Sequence, residues 1–256
     1  MVEAILDIAI QAGRAILDIY QRDFEVQQKA DASPLTEADL AAHRCIVSAL
    51  EELTPDIPVL SEESTAIPYA QRRTWTRYWL IDPLDGTKEF VRRNGEFTVN
   101  IALIEMGQPI LGVVHVPVTG VSYIGEVGVG AWKSQADGTR IPIAVQAKSQ
   151  QPIRVVASRS HLSEAVQAML ARLGEHTLVS MGSSLKLCLV AEGQADLYPR
   201  LGPTSEWDTA AAQAVVVAAG GQVTDCQMQP LRYNQKDSLL NPHFLVFADT
   251  QVDWRG

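Results

Sequence analysis

WLIDPLDGTKEF, residues 79–90, ends an apolar run with two aspartates, Asp82 and Asp85, that bracket Pro83 and Leu84 and are followed by Gly86 and Thr87. A short apolar run bounded by turn residues reads as a buried strand. Pro83 fixes its own φ and biases Asp82 away from helix, so the strand turns sharply and both carboxylates face one point beyond its end. Carboxylate oxygens, with the Leu84 carbonyl, suit a hard cation such as magnesium. The plain alternative is an acidic turn in which Asp85 only caps the next element.

The flanking sequence supplies company for this pair. Upstream, Ile5, Ala9, Ala12, Ile16 and Ile19 recur at helical steps, and a second helix is predicted from Thr36. There TEAD (36–39) resembles a capping box closed by Asp39, with Leu40, Ile46, Val47 and Leu50 on the apolar face. IPVLSEES (57–64) reads as a strand ending in Glu62 and Glu63. Downstream, two apolar runs between Phe97 and Val116 flank EMGQP, which has hairpin turn chemistry, and VSYIGEVGVGAW (121–132) continues the pattern. The first half is therefore expected to pack helices on a largely antiparallel sheet.

After VQAKSQQP (145–152) the rhythm alternates strand and helix, from IRVVAS at 153 to the Ala-rich WDTAAAQAVVVAAGG at 207–221, as in an α/β layer. One catalytic domain is expected over 1–256. Its subdomains are 1–146, α+β, and 147–256, α/β, with a ligand cleft between them.

Composition narrows the function classes. The chain has 256 residues, 46% of them hydrophobic, enough for a sizeable core, and no stretch approaches the roughly 18 to 20 apolar residues of a membrane span. Met1 to Tyr20 lacks the basic start and cleavage site of a signal peptide, so a soluble cytoplasmic protein is expected. Cys45, Cys188 and Cys226 form no C-x-x-C pair and are expected in the core. A net charge of −9 argues against nucleic-acid polymers, which require a basic face. A phosphate ligand would need metal ions or a local basic cluster.

Two look-alikes fail. An EF-hand loop counted from Asp82 would put Leu84, Gly86 and Arg93 at ligand positions. Phosphatases that form an aspartyl-phosphate use D-x-D, whereas the spacing here is D-x-x-D.

SEES (61–64), DPLDGT (82–87) and WDTAAA (207–212) stand in the order found in the lithium-sensitive, magnesium-dependent phosphatases related to inositol monophosphatase, which the chain resembles. The stretch from Tyr78 to Ile104, SRSH (158–161), GSSLKLCLVAEGQADLYPR (182–200) and LNPHF (240–244) resemble more narrowly the bacterial CysQ-type 3′(2′),5′-bisphosphate nucleotidases. The likeness covers nearly the whole chain. It implies a layered αβαβα sugar-phosphatase fold with two subdomains around a metal cleft, and two magnesium ions, or three.

By this resemblance Glu62, Asp82 and the Leu84 carbonyl hold one ion, and Asp82, Asp85 and Asp208 hold a second. Asp39 and Thr87 form a dyad that orients the attacking water, and Glu62 is counted with them as catalytic. Glu62, Leu84, Asp85, Gly86, Thr87 and Asp208 thereby face the reacting phosphate. Glu63 is left outside the ligand set, because adjacent strand residues point to opposite faces. Each assignment has a rival: Asp39 as a capping-box residue, Asp208 as a helix N-terminal acid, Thr87 as a turn hydroxyl.

MGSSLK (181–186) offers a second anion site, with Gly182, Ser183 and Ser184 at a predicted helix start and Lys186 adding charge; the bland reading is a serine N-cap beside a solvated lysine. The resemblance assigns Ser183, Ser184, Lys186 and Arg200 to the nucleotide and its second phosphate, and His161 to the sugar or base. The implied reaction is removal of the 3′-phosphate of adenosine 3′,5′-bisphosphate to give AMP, with the sulfated analogue as a second substrate, in support of sulfate assimilation. The rivals are an inositol or sugar phosphatase of the same fold and a metal-dependent nucleotide sensor without turnover. The resemblance also admits attachment to the cytoplasmic face of the inner membrane; oligomeric state is left open.

Overall fold

A computed structural model describes residues 1–28, 34–64, 67–157 and 163–255. Along the chain these form α1 (Val2–Tyr20), β1 (Val26–Gln28), β2 (Pro34–Thr36), α2 (Glu37–Leu53), β3 (Val59–Ser61), α3 (Tyr69–Arg72), β4 (Arg77–Asp85), α4 (Thr87–Val91), β5 (Thr98–Glu105), β6 (Gln108–Val116), β7 (Val121–Glu126), β8 (Gly130–Ser134) and β9 (Arg140–Pro142). The second half adds β10 (Ile153–Ala157), α5 (Glu164–Leu173), β11 (His176–Ser180), α6 (Leu185–Ala191), β12 (Leu197–Arg200), α7 (Glu206–Ala218), β13 (Gln222–Asp225) and β14 (Phe244–Phe247).

Period-two alternation in the central strands explains the layering, because successive side chains leave opposite faces of a sheet. Strands β3 to β9 pair in sequence order, parallel only between β3 and β4. On one face Trp79, Ile81, Ile101 and Val113 meet Ile5, Ala12, Ile46 and Leu50 of α1 and α2. On the other, Tyr78, Leu80, Ala102 and Val114 meet α6 and α7. The same two helices rest on the second sheet, ordered β11-β10-β12-β14-β13, through Val156, Tyr198 and Val246. The far face of that sheet is closed by α5 with Val166, Met169 and Leu170. The order is αβαβα, as expected, and one continuous core joins residues on both sides of the anticipated boundary at 146.

The Ala-rich α7 is apolar on nearly all sides because it lies between two sheets. Gly112 and Gly125 are paired neighbours on β6 and β7, and a Cβ on either would sit 2.1 Å from the Ala211 carbonyl oxygen or 2.4 Å from the Val215 Cα. These glycines let the helix backbone rest on the sheet, which fixes the height at which the α7 N-terminus presents Asp208.

Several expectations change in detail. Glu62 and Glu63 lie in a 3-10 turn, Glu62–Ser64, after β3 has ended, so strand alternation does not separate them. Leu40 is 38% exposed; Ala38 and Ala42 fill the apolar face of α2 in its place. Only Cys188 of the cysteines is buried, with Cys45 and Cys226 half-buried. Strands β1, β2, β9, β13 and β14 are not anticipated by the sequence, each only three or four residues long. Among the described residues no helix is long and apolar enough to cross a membrane.

Candidate active site

The convergence of Asp82 and Asp85 has a specific cause in the backbone. The β4–β5 ladder runs regularly to Asp82 opposite Asn100, and then Asp85 opposes Thr98. Three steps on β4 therefore match two on β5. In a regular strand residues three apart face opposite sides, and the extra residue restores them to the same side. Pro83, which has no N–H for the ladder, sits where the pairing lapses. Asp82 then accepts the Leu84 N–H at Oδ1, 3.1 Å away, which pins the bulge.

Asp208 arrives from the other half. Its Oδ2 accepts the Ser205 N–H at 2.9 Å, in a capping box at the start of α7. Carboxylate oxygens of Asp82, Asp85 and Asp208 lie within 4.8 Å of one another, and Glu62 hydrogen-bonds Asp82. Burial, then Glu62, Asp85 and Asp208, push Asp82 well above the usual carboxylate range. Burial, with Asp85 next, pushes Asp208 up to about 8. Burial also raises Asp85, opposed by the Lys186 ammonium. A set of hard oxygen donors that repel one another is the chemistry a divalent cation relieves, so these residues fit a metal.

Asp85 is held by one oxygen. Its Oδ2 accepts the Ser184 N–H at 2.5 Å and lies 3.4 Å from both Thr98 Oγ1 and Asn100 Nδ2, which donate to it. Ser184 in turn donates its hydroxyl to Asn100 Oδ1 at 2.9 Å. Ser184 thus orients Asp85 through its N–H and hydroxyl, and it lines the cleft beside Ser183. The α6 helix starts one residue later, at Leu185. Thr98 and Asn100 escaped the sequence reading, although two polar residues on one face of an otherwise apolar strand were a legible signal.

Asp39 divides its oxygens in the same way. Oδ2 accepts the Thr36 N–H and hydroxyl, both at 2.7 Å, closing the α2 capping box, while Oδ1 accepts the Thr87 hydroxyl at 3.1 Å. The capping bond and the contact with Thr87 thus coexist, one on each oxygen. Burial raises the Asp39 pKa, countered by the Thr36 bonds. Glu63 acts on Asp39 and His43, whereas Glu62 acts on Asp82 and Asp208, so the two glutamates serve different neighbours after all. Thr87 Oγ1 also lies 3.4 Å from the Leu84 carbonyl oxygen.

A cleft of about 190 Å³ opens beside Asp85 and Asp208 and is walled by Gly86, Gly182, Ser183, Lys186 and Arg200. Gly86 has φ +93, a left-handed conformation that glycine adopts without strain, and starts α4. Lys186 is half-buried, its Nζ 5.7 Å from the Tyr198 ring centroid. Burial lowers its pKa, and Asp85 works against that. Arg200 Nη2 donates to the Pro203 carbonyl at 2.7 Å, while its buried Nε has no partner among the described residues. His161 lies outside the described residues.

The raised carboxylates set a pH dependence. A folded-state pKa above the unfolded value opposes folding once the group ionises. For Asp208 stability is complete below its ordinary 3.8 and is lost as pH rises through about 8. In a chelating buffer, the melting temperature of Asp208→Asn minus that of wild type should therefore grow across this range, since asparagine keeps a capping oxygen. A pH-independent offset would contradict the assignment.

Known proteins resemble this chain along its length. The sequence model of the inositol monophosphatase family matches residues 1–251. A 3′(2′),5′-bisphosphate nucleotidase CysQ of Salmonella typhimurium is 54% identical over 248 residues, 96% of this chain and 99% of the relative. The crystal structure of CysQ from Bacteroides thetaiotaomicron superposes with a TM-score of 0.85 at 45% identity, covering 96% of both chains. An inositol monophosphatase from Anabaena superposes with a TM-score of 0.75 at 25% identity, over 97% of this chain and 90% of that one.

Proposed function

The chain belongs to the inositol monophosphatase family, and from that premise we propose that it is a magnesium-dependent phosphatase that removes the 3′-phosphate of adenosine 3′,5′-bisphosphate, giving AMP and phosphate. The relatives named as bisphosphate nucleotidases support this reading. The observation that carries it is that one cleft is lined both by Asp85 and Asp208, which gather with Asp82 in an acidic cluster, and by the cations Lys186 and Arg200. A bisphosphate presents one phosphate to be cleaved and one only to be held.

Glu62, Asp82, Asp85, Asp208 and the Leu84 carbonyl would hold magnesium, in two sites that share Asp82. Bound magnesium supplies neutralisation of phosphate charge and a more acidic water. The chain's own residues do the rest. Thr87 donates its hydroxyl proton toward Asp39 Oδ1, which leaves the Thr87 oxygen lone pairs to accept from the attacking water and orient it. Because Oδ2 of Asp39 is locked by Thr36, only Oδ1 is free for this role. Gly86, Gly182 and Ser183 line the phosphate side of the cleft. Turnover in the cell would serve sulfate assimilation by clearing an inhibitory by-product.

Charge-assisted contacts contribute about 1.5 to 3 kcal/mol, so Lys186→Ala or Arg200→Ala should raise KM for the bisphosphate roughly 10- to 100-fold. The ratio of kcat/KM on adenosine 3′,5′-bisphosphate to that on adenosine 3′-monophosphate should fall by a similar factor at fixed ionic strength. Equal losses on both substrates would assign the two cations to the reacting phosphate or to the fold.

A further inference from the structure

The segment between β12 and α7 is clamped at Pro203, Thr204 and Ser205 but leaves one of its own polar groups over. Arg200 holds the Pro203 carbonyl at 2.7 Å. The Asn241 N–H holds the Thr204 carbonyl at 2.8 Å, and Asn241 Nδ2 holds the Ser205 carbonyl at 2.8 Å. Thr204 Oγ1, between these anchors, is buried with no hydrogen-bond partner among the described residues, like Arg200 Nε. Both residues line the same cleft as Lys186.

A buried hydroxyl without a partner is costly and rare, and two such atoms on one wall call for an acceptor from outside the chain. The backbone bonds on either side of Thr204 hold its Cα at the cleft wall, where a turn about χ1 brings the hydroxyl to a ligand. A phosphate dianion offers only acceptor oxygens, and the ammonium of Lys186, Nε–H of Arg200 and hydroxyl of Thr204 offer only what it needs.

Resting on the bisphosphate reading and refining its substrate, we propose that Thr204 is a specificity-determining residue that donates its hydroxyl to the phosphate that is held and not cleaved. Neither composition nor motif singles it out; the orphaned atom does.

The test uses the full chain with magnesium and compares Thr204→Val, which keeps the shape and removes the hydroxyl, with Thr204→Ser, which keeps the donor. In Thr204→Val the ratio of kcat/KM on adenosine 3′,5′-bisphosphate to that on adenosine 3′-monophosphate should fall about 10-fold, the loss residing in KM for the bisphosphate. Thr204→Ser should recover most of it. The melting temperature of the ligand-free Thr204→Val protein should equal or exceed that of wild type, because the hydroxyl has no internal partner to lose. A ratio unchanged in Thr204→Val would mean that the held phosphate does not engage the hydroxyl, and a lowered melting temperature with equal losses on both substrates would mean a structural role. Either overturns the proposal while leaving the bisphosphate reading intact. Absence of bisphosphate turnover in wild type would remove that reading, and this assignment with it.

Discussion

Replacing Asp39 by Asn, or Thr87 by Ala, should each lower kcat by roughly 10²- to 10⁴-fold, the usual weight of general acid–base assistance, with the fold retained. The geometry explains why so small a change has so large an effect. Asp39 Oδ2 is fixed by two 2.7 Å bonds from Thr36, and an asparagine at this position can keep a carbonyl oxygen there. The amide nitrogen of the substituted side chain then faces Thr87, a donor where an acceptor stood. The Thr87 hydroxyl then accepts from that amide and turns its own proton away, so one lone pair is spent and the orientation that presented both to water is lost. Helix capping survives, so the melting temperature should move little. Because the pair orients one water as a unit, the double mutant should be little worse than either single. Losses that multiply would show that the residues act separately.

The sequence made the acidic cluster legible because metal chemistry restricts residue type: Asp82, Asp85 and Asp208 stand out as carboxylates at the ends of apolar elements, and the structure gathers them within 4.8 Å. The alternation of strand and helix after residue 152 was equally legible, since periodicity survives in single elements. The cause of the Asp82–Asp85 convergence was only half legible. Pro83 announced a turn, but the extra residue appears only when β4 is set against β5. Ser184 reads as an anion donor because N–H groups at a helix start are free in the sequence pattern; that its N–H is spent on Asp85, 99 residues away, is a tertiary fact. Strands β13 and β14 have four residues each and pair antiparallel with each other, across a long irregular segment that carries no periodic signal. The Thr204 hydroxyl is notable only for the bond it does not make, which no sequence displays.

Removal of magnesium should abolish turnover. Buried carboxylates that already repel one another would also repel an incoming phosphate, and the Lys186 ammonium, which opposes the raised pKa of Asp85, leaves that pKa raised all the same. The decisive measurement is inorganic phosphate release by wild type from adenosine 3′,5′-bisphosphate, inositol 1-phosphate and fructose 1,6-bisphosphate, each with magnesium and with excess chelator. The nucleotide bisphosphate should have the highest kcat/KM, exceeding that on inositol 1-phosphate by about 10-fold or more because only a bisphosphate offers a second phosphate to Lys186 and Arg200, and chelator should reduce all three to background until magnesium is restored. Full activity in excess chelator, or inositol 1-phosphate turned over as well as the nucleotide bisphosphate, would contradict the proposed function.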